Sequence, residues 1–286
     1  MTLPDGYRID DLRGDELPAV AEWAIAEGWN PGVHDIQIAW DLQPEAFLAL
    51  RRGDDLVGVG TIFVHGPAYG FMGLFIVDPG MRGRGLGARL WAHRRDLLRA
   101  RLAPGATIGM DGVFAMVPFY ERGGFILAYR DLRMEGIAAG AIDPSVVTLD
   151  GTFEERIEAC DRATFPVPRR EFLKQWTSRP GVITRGLVVD GSVTAYGVAR
   201  PCVVGYKLGP VVARSSDDAT RVLSDLMAAV EGRQVQLDVP EVNAEALSIA
   251  RSFGLTESFG CARMYLGPVP DVEVAATYGV TSFEFG

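Results

Sequence analysis

A glycine-rich turn between a predicted strand and a predicted helix is the segment of this sequence best suited to chemistry. The segment Phe75–Ala88 reads FIVDPGMRGRGLGA. Glycines let the backbone turn several N–H groups towards one point, and a helix start adds free N–H groups and partial positive charge. Arg82 and Arg84 bring fixed positive charge to the same turn. The pattern therefore predicts a site for a pyrophosphate group.

Two familiar phosphate sites fit this turn poorly. A P-loop NTPase requires the pattern GxxxxGK[ST], which the sequence does not contain. The segment Gly83–Ala88 fits the loose GxGxxA pattern of dinucleotide-binding folds, but residues 78–82 separate it from the preceding strand. That fold also needs further parallel strand–helix units downstream. A dinucleotide-dependent oxidoreductase is therefore the weaker hypothesis.

A third interpretation rests on a resemblance. Arg82, Gly85 and Gly87 match motif A of the GNAT superfamily of acyl-CoA-dependent N-acyltransferases, which is Arg or Gln, two residues, Gly, one residue, then Gly or Ala. Residues 77–79, Val-Asp-Pro, match the strand exit usual in that family. The segment Val117–Phe125, VPFYERGGF, resembles the family's FYEKxGF segment. The resemblance covers most of the first half of the chain.

The resemblance implies acetyl-CoA as the co-substrate and no metal. The pantetheine arm would lie along the strand before the turn, and backbone N–H groups of the turn would hold the pyrophosphate. A bulge in this strand would leave an N–H free for the thioester carbonyl, and this donor is expected near Ile76 or Val77, to within a residue. The residues expected to bind the cofactor are Phe75, Ile76, Val77, Arg82, Gly83, Arg84, Gly85, Leu86, Gly87 and Ala88.

Tyr120 is the candidate catalytic residue, because many family members carry a tyrosine acid at this place. A phenol with an ordinary pKa of about 10 is protonated at neutral pH and can donate to the leaving thiolate. The alternative is that Tyr120 only packs its ring beside Phe119 and Phe125. Attack by the amine would be direct, since no nucleophile motif such as GxSxG appears.

The acceptor side is less defined by the sequence. Trp29 and Asn30 fall between the first helices, where the family places part of the acceptor pocket, although Trp29 fits core packing equally well. A base that removes the amine proton would help catalysis. The candidates by residue type are His34, Asp35, His65, Asp111 and Glu121, each of which also suits a surface or capping role.

The predicted elements that position these residues repeat along the chain. In the first half, the pattern predicts helices over 15–27 and 44–51, strands over 56–64 and 69–77, a long helix to about 102, and a last strand over 125–134. The second half gives a similar order, which indicates an ancestral duplication or two related domains in tandem.

The resulting fold class is α/β (α+β), with two tandem GNAT-like domains, each a mixed twisted sheet flanked by helices. We expect a catalytic domain over 1–136, a linker over 137–147 and a degenerate domain over 148–286. The long helix of the second half has no preceding glycines and begins with Asp217 and Asp218, which would repel a phosphate. The second domain would complete the fold, wall the acceptor site or select the acceptor.

Composition excludes several partners. Lys and Arg total 28 against 37 Asp and Glu, a formal charge of −9, so nucleic acid is not an expected partner. No apolar run is long enough to cross a membrane and no leader is visible, so we expect a cytoplasmic protein. The three cysteines and three histidines have no metal-ligand spacing.

These observations predict an N-acetyltransferase that moves the acetyl group of acetyl-CoA directly to a primary amine of a small molecule. The choice of a small-molecule acceptor rests on the lack of any basic or peptide-specific surface pattern. An amine of a protein or peptide is the alternative acceptor. The alternative is a non-catalytic module that binds or senses acyl-CoA.

Overall fold

The computed structural model describes residues 2–286, whose strands form one mixed sheet flanked by helices. The strands are β1 (Tyr7–Asp11), β2 (Phe47–Arg52), β3 (Asp55–Gly66), β4 (Tyr69–Val77), β5 (Thr107–Val113), β6 (Ile126–Ile137), β7 (Val146–Thr148), β8 (Ile183–Val189), β9 (Ser192–Pro201), β10 (Tyr206–Ala213), β11 (Gln234–Pro240), β12 (Thr256–Leu266) and β13 (Thr277–Gly279). The helices are α1 (Leu17–Ala26), α2 (Asp35–Leu42), α3 (Leu86–Arg101), α4 (Val117–Arg122), α5 (Glu154–Asp161), α6 (Arg170–Ser178), α7 (Ser216–Ala229) and α8 (Ala244–Ser252). The predicted α/β fold class is confirmed.

The two halves of the chain exchange their last long strands. The sheet runs β1-β2-β3-β4-β5-β12-β6-β11-β10-β9-β8-β7, with β13 added on β10. Strand β12 of the second half therefore covers β5 of the first half, and β6 of the first half covers β11 of the second. The sequence predicts β6 as the closing strand of the first half, but it does not indicate that this strand pairs with the second half.

Continuous main-chain ladders hold the exchanged strands. Strand β12 pairs with β5 from Cys261↔Val113 to Leu266↔Ile108, and β6 pairs with β11 from Asp131↔Pro240 to Ile137↔Gln234. The two exchanged strands also pair with each other in antiparallel fashion. Since an unpaired sheet edge exposes main-chain donors and acceptors, each half depends on the other to complete its sheet.

Each half contains one pair of parallel strands that separate partway along their length. Strands β4 and β5 pair from Tyr69↔Thr107 to Met72↔Met110, and β10 and β11 pair from Tyr206↔Val235 to Leu208↔Leu237. Beyond these pairs a gap opens in each half. In the second half, β13 pairs with β10 in that gap.

The last residues of the chain, 280–286, form a buried tail that leads from the second gap to the first. The Val280 N–H donates to the Asp238 carbonyl oxygen at 2.7 Å, so the tail starts beside β11. A Cβ added at Gly209, where β10 leaves β11, would overlap the Val280 carbonyl oxygen. One added at Gly73, where β4 leaves β5, would overlap the carbonyl oxygen of Glu284. The two glycines thus leave room for the tail at both gaps.

The predicted helix over residues 44–51 is wrong. The chain forms a 3-10 turn over Pro44–Ala46 and then strand β2, while the second helix, α2, lies earlier. Residues 47–50 are all buried, and β2 pairs with both β1 and β3. A short apolar run that is buried on both faces has the same sequence pattern as a buried helix segment, so periodicity alone does not separate them.

The strand exchange predicts that the halves do not fold separately. A fragment ending at residue 145 leaves the β5 edge open and removes both neighbours of β6. We expect no cooperative thermal transition for this fragment, and one shared transition for the full chain by calorimetry and far-UV circular dichroism. Mixing it with a fragment of residues 146–286 should restore the transition. Cooperative melting of either fragment alone would contradict the prediction.

Candidate active site

The turn after β4 forms a concave surface of main-chain N–H groups in front of α3. The Asp78 carboxylate accepts a hydrogen bond from the Gly80 N–H at 2.7 Å and fixes the start of the turn. Gly83 and Gly85 have φ of +76° and +73°, a conformation that glycine adopts without a steric penalty. Helix α3 begins at Leu86, so its unpaired N–H groups face the same space.

This turn and the end of β4 line an open groove that brings together eight of the ten predicted cofactor residues. The Arg82 side chain donates from Nε to the Val77 carbonyl oxygen at 2.8 Å and pairs with Glu27, so it fastens the turn to β4 and α1. The residues lining the groove are Glu27, Trp29, Phe75, Ile76, Val77, Arg82, Gly83, Gly85, Gly87, Ala88, Val113, Met116 and Tyr120.

The structure places the side chains of the other two predicted cofactor residues away from the groove. Arg84 donates back to the Gly80 carbonyl oxygen at 3.2 Å. Leu86 is buried in an apolar cluster with Leu50 and Leu90. Neither residue is therefore among those that line the groove.

A bulge interrupts β4 at the point where it leaves β5. Leu74 has φ of +45°, and the register with β3 shifts between Thr61↔Gly73 and Val59↔Ile76. The extra residue therefore lies at Leu74 or Phe75. The bulge directly precedes Ile76, one of the two residues near which the free N–H is expected, because pairing with β3 has resumed there. The N–H that faces a thioester stays a prediction.

A buried arginine holds the bulge from the helix side. The Arg94 guanidinium donates to the Thr61 and Gly73 carbonyl oxygens at 2.5 and 2.6 Å, and its carbon lies 5.2 Å from the Phe75 ring centre. Burial lowers the pKa of Arg94 to about 9, so the guanidinium remains charged at neutral pH. A cation held by carbonyl dipoles alone raises the positive potential at the bulge.

An inner cavity adjoins the groove at the gap between β4 and β5. Its empty space, counted with its open mouth, is about 620 Å³. Four residues line both spaces: Trp29, Phe75, Val113 and Tyr120. The rest of the inner cavity is lined by Met72, Gly73, Leu74, Trp91, Arg94, Met110, Asp111, Arg133, Phe259, Cys261, Phe283 and Glu284.

Tyr120 lies at the junction of the groove and the inner cavity. It is 4% exposed, and its ring packs near the rings of Phe119 and Trp91, with centres 5.5 and 6.1 Å away. Burial raises the pKa of Tyr120 to about 12, although the nearby Arg94 charge opposes the increase. The phenol therefore stays protonated over the physiological range and can donate a proton in either space.

Two buried ion pairs form part of the cavity wall. Asp111 accepts two hydrogen bonds from Arg263, at 2.6 and 2.7 Å, and Arg133 donates two to Asp238, at 2.7 and 2.8 Å. Burial raises the pKa of Asp111 to about 6 against the lowering effect of Arg263. Each pair joins a strand of one half to a strand of the other, so the exchanged strands assemble this wall.

Trp29 and Asn30 have different surroundings. The Trp29 side chain lines both spaces, and its carbonyl oxygen accepts hydrogen bonds from Arg133 and Lys207, each at 3.0 Å. The Asn30 amide instead joins the two halves: it donates to the Val204 carbonyl oxygen and accepts from the Val204 N–H, both at 3.0 Å. Asn30 lines neither space, which corrects its expected position beside the acceptor.

Of the five candidate bases, only Asp111 lines the inner cavity. His34 bonds to the Pro180 carbonyl oxygen at 3.0 Å, and Asp35 is buried in an ion pair with Arg200. His65 bonds to the Phe285 carbonyl oxygen at 2.7 Å, and burial lowers its pKa to about 3. Glu121 is exposed on α4.

Sequence reasoning missed the contributions of the second half and of the tail. Arg133 and Phe259 come from the exchanged strands, and Phe283 and Glu284 come from the last four residues of the chain. None of these residues belongs to a motif. The only signal in the sequence is the apolar character of the ending TSFEFG, which indicates a buried C-terminus rather than a cavity wall.

Within residues 2–286, no group of three or more His, Cys, Asp or Glu side chains could hold a metal ion. No helix in this range is long and apolar enough to cross a lipid bilayer.

Comparisons with known proteins match each half of the chain separately. Residues 8–125 match the model described as acetyltransferase (GNAT) family, and residues 157–279 match the model described as acetyltransferase (GNAT) domain. The chain is similar to holothin acyltransferase of a Pseudoalteromonas species, with 28% identity over 95% of this chain and 92% of the relative. It is also similar to an uncharacterised N-acetyltransferase of Bacillus subtilis, with 25% identity over 74% of this chain and 75% of the relative.

Solved structures share the whole architecture. A protein from Pyrococcus horikoshii superposes with a TM-score of 0.84 at 22% identity, covering 100% of this chain and 98% of its own. A tandem GNAT protein from the clavulanic acid biosynthesis pathway superposes with a TM-score of 0.63 at 18% identity, covering 92% and 99%. At these identities the likeness is one of fold, and it extends over both halves.

The surroundings of Asn30 predict a structural role for its side chain. Replacing Asn30 by Ala removes its bonds to Val204 and to the Gln236 side chain, so we expect the free energy of unfolding to fall by about 1–3 kcal/mol. Urea titration measures the change. Asn30→Asp, which places a carboxylate oxygen against the Val204 carbonyl oxygen, should lose at least as much stability. Unchanged stability of Asn30→Ala would contradict this role.

Proposed function

Because the chain belongs to the GNAT superfamily of acetyltransferases, with two GNAT domains in tandem, we propose that its first half transfers the acetyl group of acetyl-CoA to a primary amine of a small molecule. The observation that carries the proposal is that the groove at the glycine turn and the inner cavity beside the bulge of β4 share four wall residues. Tyr120 is one of these four residues.

The groove suits a pantetheine diphosphate in shape and charge. The N–H groups from Gly83 to the start of α3 suit the pyrophosphate. The segment of β4 beyond Met72 has no β5 partner, so its main chain is available to the amides of the pantetheine arm. A Cβ at Gly87 would meet Phe75 and Val77 at 3.4 and 3.5 Å, so glycine keeps this part of the groove open.

The second half lacks the features that suit a cofactor, which supports placing the acetyl-CoA site in the first half. The equivalent gap between β10 and β11 holds β13, so protein main chain already pairs with Val211 and Val212. Helix α7 starts with Asp217 and Asp218 in its first turn and has Ser215 as its cap. These carboxylates complement the helix dipole themselves and would repel a phosphate.

The chemistry requires stabilisation of an oxyanion and protonation of a thiolate. The bulged backbone at Leu74 and the charge of Arg94 favour negative charge on the thioester oxygen. The Tyr120 phenol, kept neutral by burial, is the proton donor for the sulfur of coenzyme A. No covalent acyl-enzyme is needed, since the amine can attack the thioester directly.

The enclosed shape of the inner cavity favours a small-molecule acceptor. Its walls come from both halves and include the tail, which suits an acceptor that fits between them. The relative named for acyl transfer to holothin, similar over 95% of this chain, supports acyl transfer. A screen of acetyl-CoA against a library of small amines, monitored by thiol release, tests the activity; no release with any amine favours a non-catalytic acyl-CoA-binding module.

Tyr120→Phe separates proton donation from binding. We expect kcat to fall by about 100-fold while the Kd for acetyl-CoA changes less than twofold, because only the hydroxyl is removed. Because the pKa of Tyr120 is about 12, the wild-type kcat should not fall between pH 7 and 10 through loss of this proton. Steady-state kinetics and calorimetry measure both effects. Full turnover by Tyr120→Phe would exclude Tyr120 as the acid.

Gly83→Ala tests the pyrophosphate position. Gly83 and Gly105 have φ of +76° and +80°, and neither has an atom within 4 Å of an added Cβ. Alanine should therefore cost about 1 kcal/mol of stability at either position, but only position 83 lies in the groove. We expect the Kd for acetyl-CoA to rise about tenfold in Gly83→Ala and to stay within twofold in Gly105→Ala. Equal Kd values for the two variants would contradict the assignment.

A further inference from the structure

Glu284 is a buried carboxylate that the mechanism above does not use. It is 4% exposed and lines the inner cavity from the C-terminal tail. Its carboxylate accepts a hydrogen bond from the Ser282 hydroxyl, and the Ser282 oxygen in turn accepts from the Glu284 N–H at 2.9 Å. A buried carboxylate normally has a cation as partner, and no ion pair links Glu284 to a basic residue within residues 2–286.

The other charged groups of the cavity are already engaged. Asp111 is paired with Arg263, and its side chain is fully covered. Arg133 is paired with Asp238, and Arg94 is held by two carbonyl oxygens. The titratable and charged groups that line the cavity with Glu284 are Arg94 on α3, Asp111 on β5, Tyr120 on α4, Arg133 on β6 and Cys261 on β12. Of the two carboxylates that line the cavity, Glu284 is thus the one without an ion pair, although the charge of Arg133 acts on it.

The tail is held firmly enough to position this carboxylate. Arg200 donates to the Thr281 carbonyl oxygen at 3.0 Å, and Arg169 donates to the Thr281 hydroxyl at 2.9 Å and to a Gly286 oxygen at 3.2 Å. Phe285 is fully buried in the core that both halves share. The Glu284 main chain contacts Gly73, directly before the bulge, so its carboxylate is anchored beside the reacting end of the groove.

Aromatic rings surround the same part of the cavity. Arg133 stacks near Phe259 and Phe283, with 5.4 and 5.1 Å from its guanidinium carbon to the ring centres. Trp29 forms the wall nearest the groove. A ligand with an apolar or aromatic body and one cationic end matches these walls and the Glu284 charge.

We propose that the C-terminal tail forms the amine subsite, in which Glu284 binds the ammonium group of an aromatic or apolar primary amine and takes its proton; this rests on the proposed acetyl transfer. The Glu284 carboxylate accepts one proton from the ammonium. The neutral nitrogen then forms a C–N bond with the thioester carbon as the C–S bond breaks. The Tyr120 phenol protonates the sulfur and regains a proton from the new amide nitrogen, and Glu284 releases its proton to solvent.

Glu284→Gln tests the subsite with benzylamine as the probe and benzyl alcohol as its neutral counterpart. With coenzyme A bound, we expect the variant to bind benzylamine at least tenfold more weakly at pH 7, because a charged hydrogen bond is lost. Binding of benzyl alcohol and of coenzyme A should stay within twofold. The kcat/KM for benzylamine should fall about 100-fold at pH 7. This loss should narrow as the pH rises, since more of the amine is then already neutral.

The matched control is Glu273→Gln, an exposed glutamate earlier in the C-terminal segment, which should leave all these values unchanged. If Glu284→Gln does not fold, Glu284→Asp is used instead. For that variant we expect the Kd for benzylamine to stay within threefold of the wild-type value and kcat to fall at least tenfold. Equal weakening of benzylamine and benzyl alcohol, unchanged benzylamine binding, or no benzylamine binding by the wild-type protein would overturn the subsite.

An acetyl-CoA titration of the same wild-type protein tests the proposed function separately. Absence of acetyl-CoA binding contradicts acetyl transfer itself. Normal acetyl-CoA binding and turnover together with an unaffected Glu284→Gln variant contradict only the role of Glu284. If Asp111→Asn loses turnover and Glu284→Gln does not, the base is Asp111 on β5, and the inference is overturned.

Discussion

The separation of two parallel strands after Met72 and Met110 is the constraint on which the site depends. Once β4 leaves β5, the main-chain groups on that side of β4 lose their partners and must bond to something else. Arg94 satisfies the Gly73 carbonyl oxygen, the bulge at Leu74 redirects the chain, and the rest of the strand faces the groove. Main-chain groups in such a gap take their hydrogen bonds from a ligand, from water or from another segment.

The same gap occurs twice, and the chain fills one copy with itself. Strand β13 pairs with β10 in the second half, and the residues after it continue to the open gap of the first half. Pairing with β13 removes the free main chain that a cofactor would need. The second half therefore fills its own gap, and its last residues line the inner cavity of the first half.

Buried ion pairs link the two halves where the exchanged strands meet. The pairs Asp111–Arg263 and Arg133–Asp238 each join strands from different halves, and Asp131 lies 3.8 Å from Arg263. Burial raises the pKa of Asp131 well above its usual value, with the Arg263 charge opposing the increase. Such pairs are costly to desolvate and add little net stability. They form only when the two strands are paired in one register, so they align the exchanged strands around the cavity.

The sequence by itself determined the fold class, the glycine turn, the strand before it and the helix after it, because these depend on local backbone geometry and periodicity. It also predicted Tyr120 within a short motif. Tertiary structure alone decided the strand exchange, the bulge at Leu74 and the arrival of Glu284 in the cavity. Strand partners and the path of a tail depend on contacts between residues more than 100 positions apart, such as Gly73 and Glu284, and no local pattern encodes such contacts.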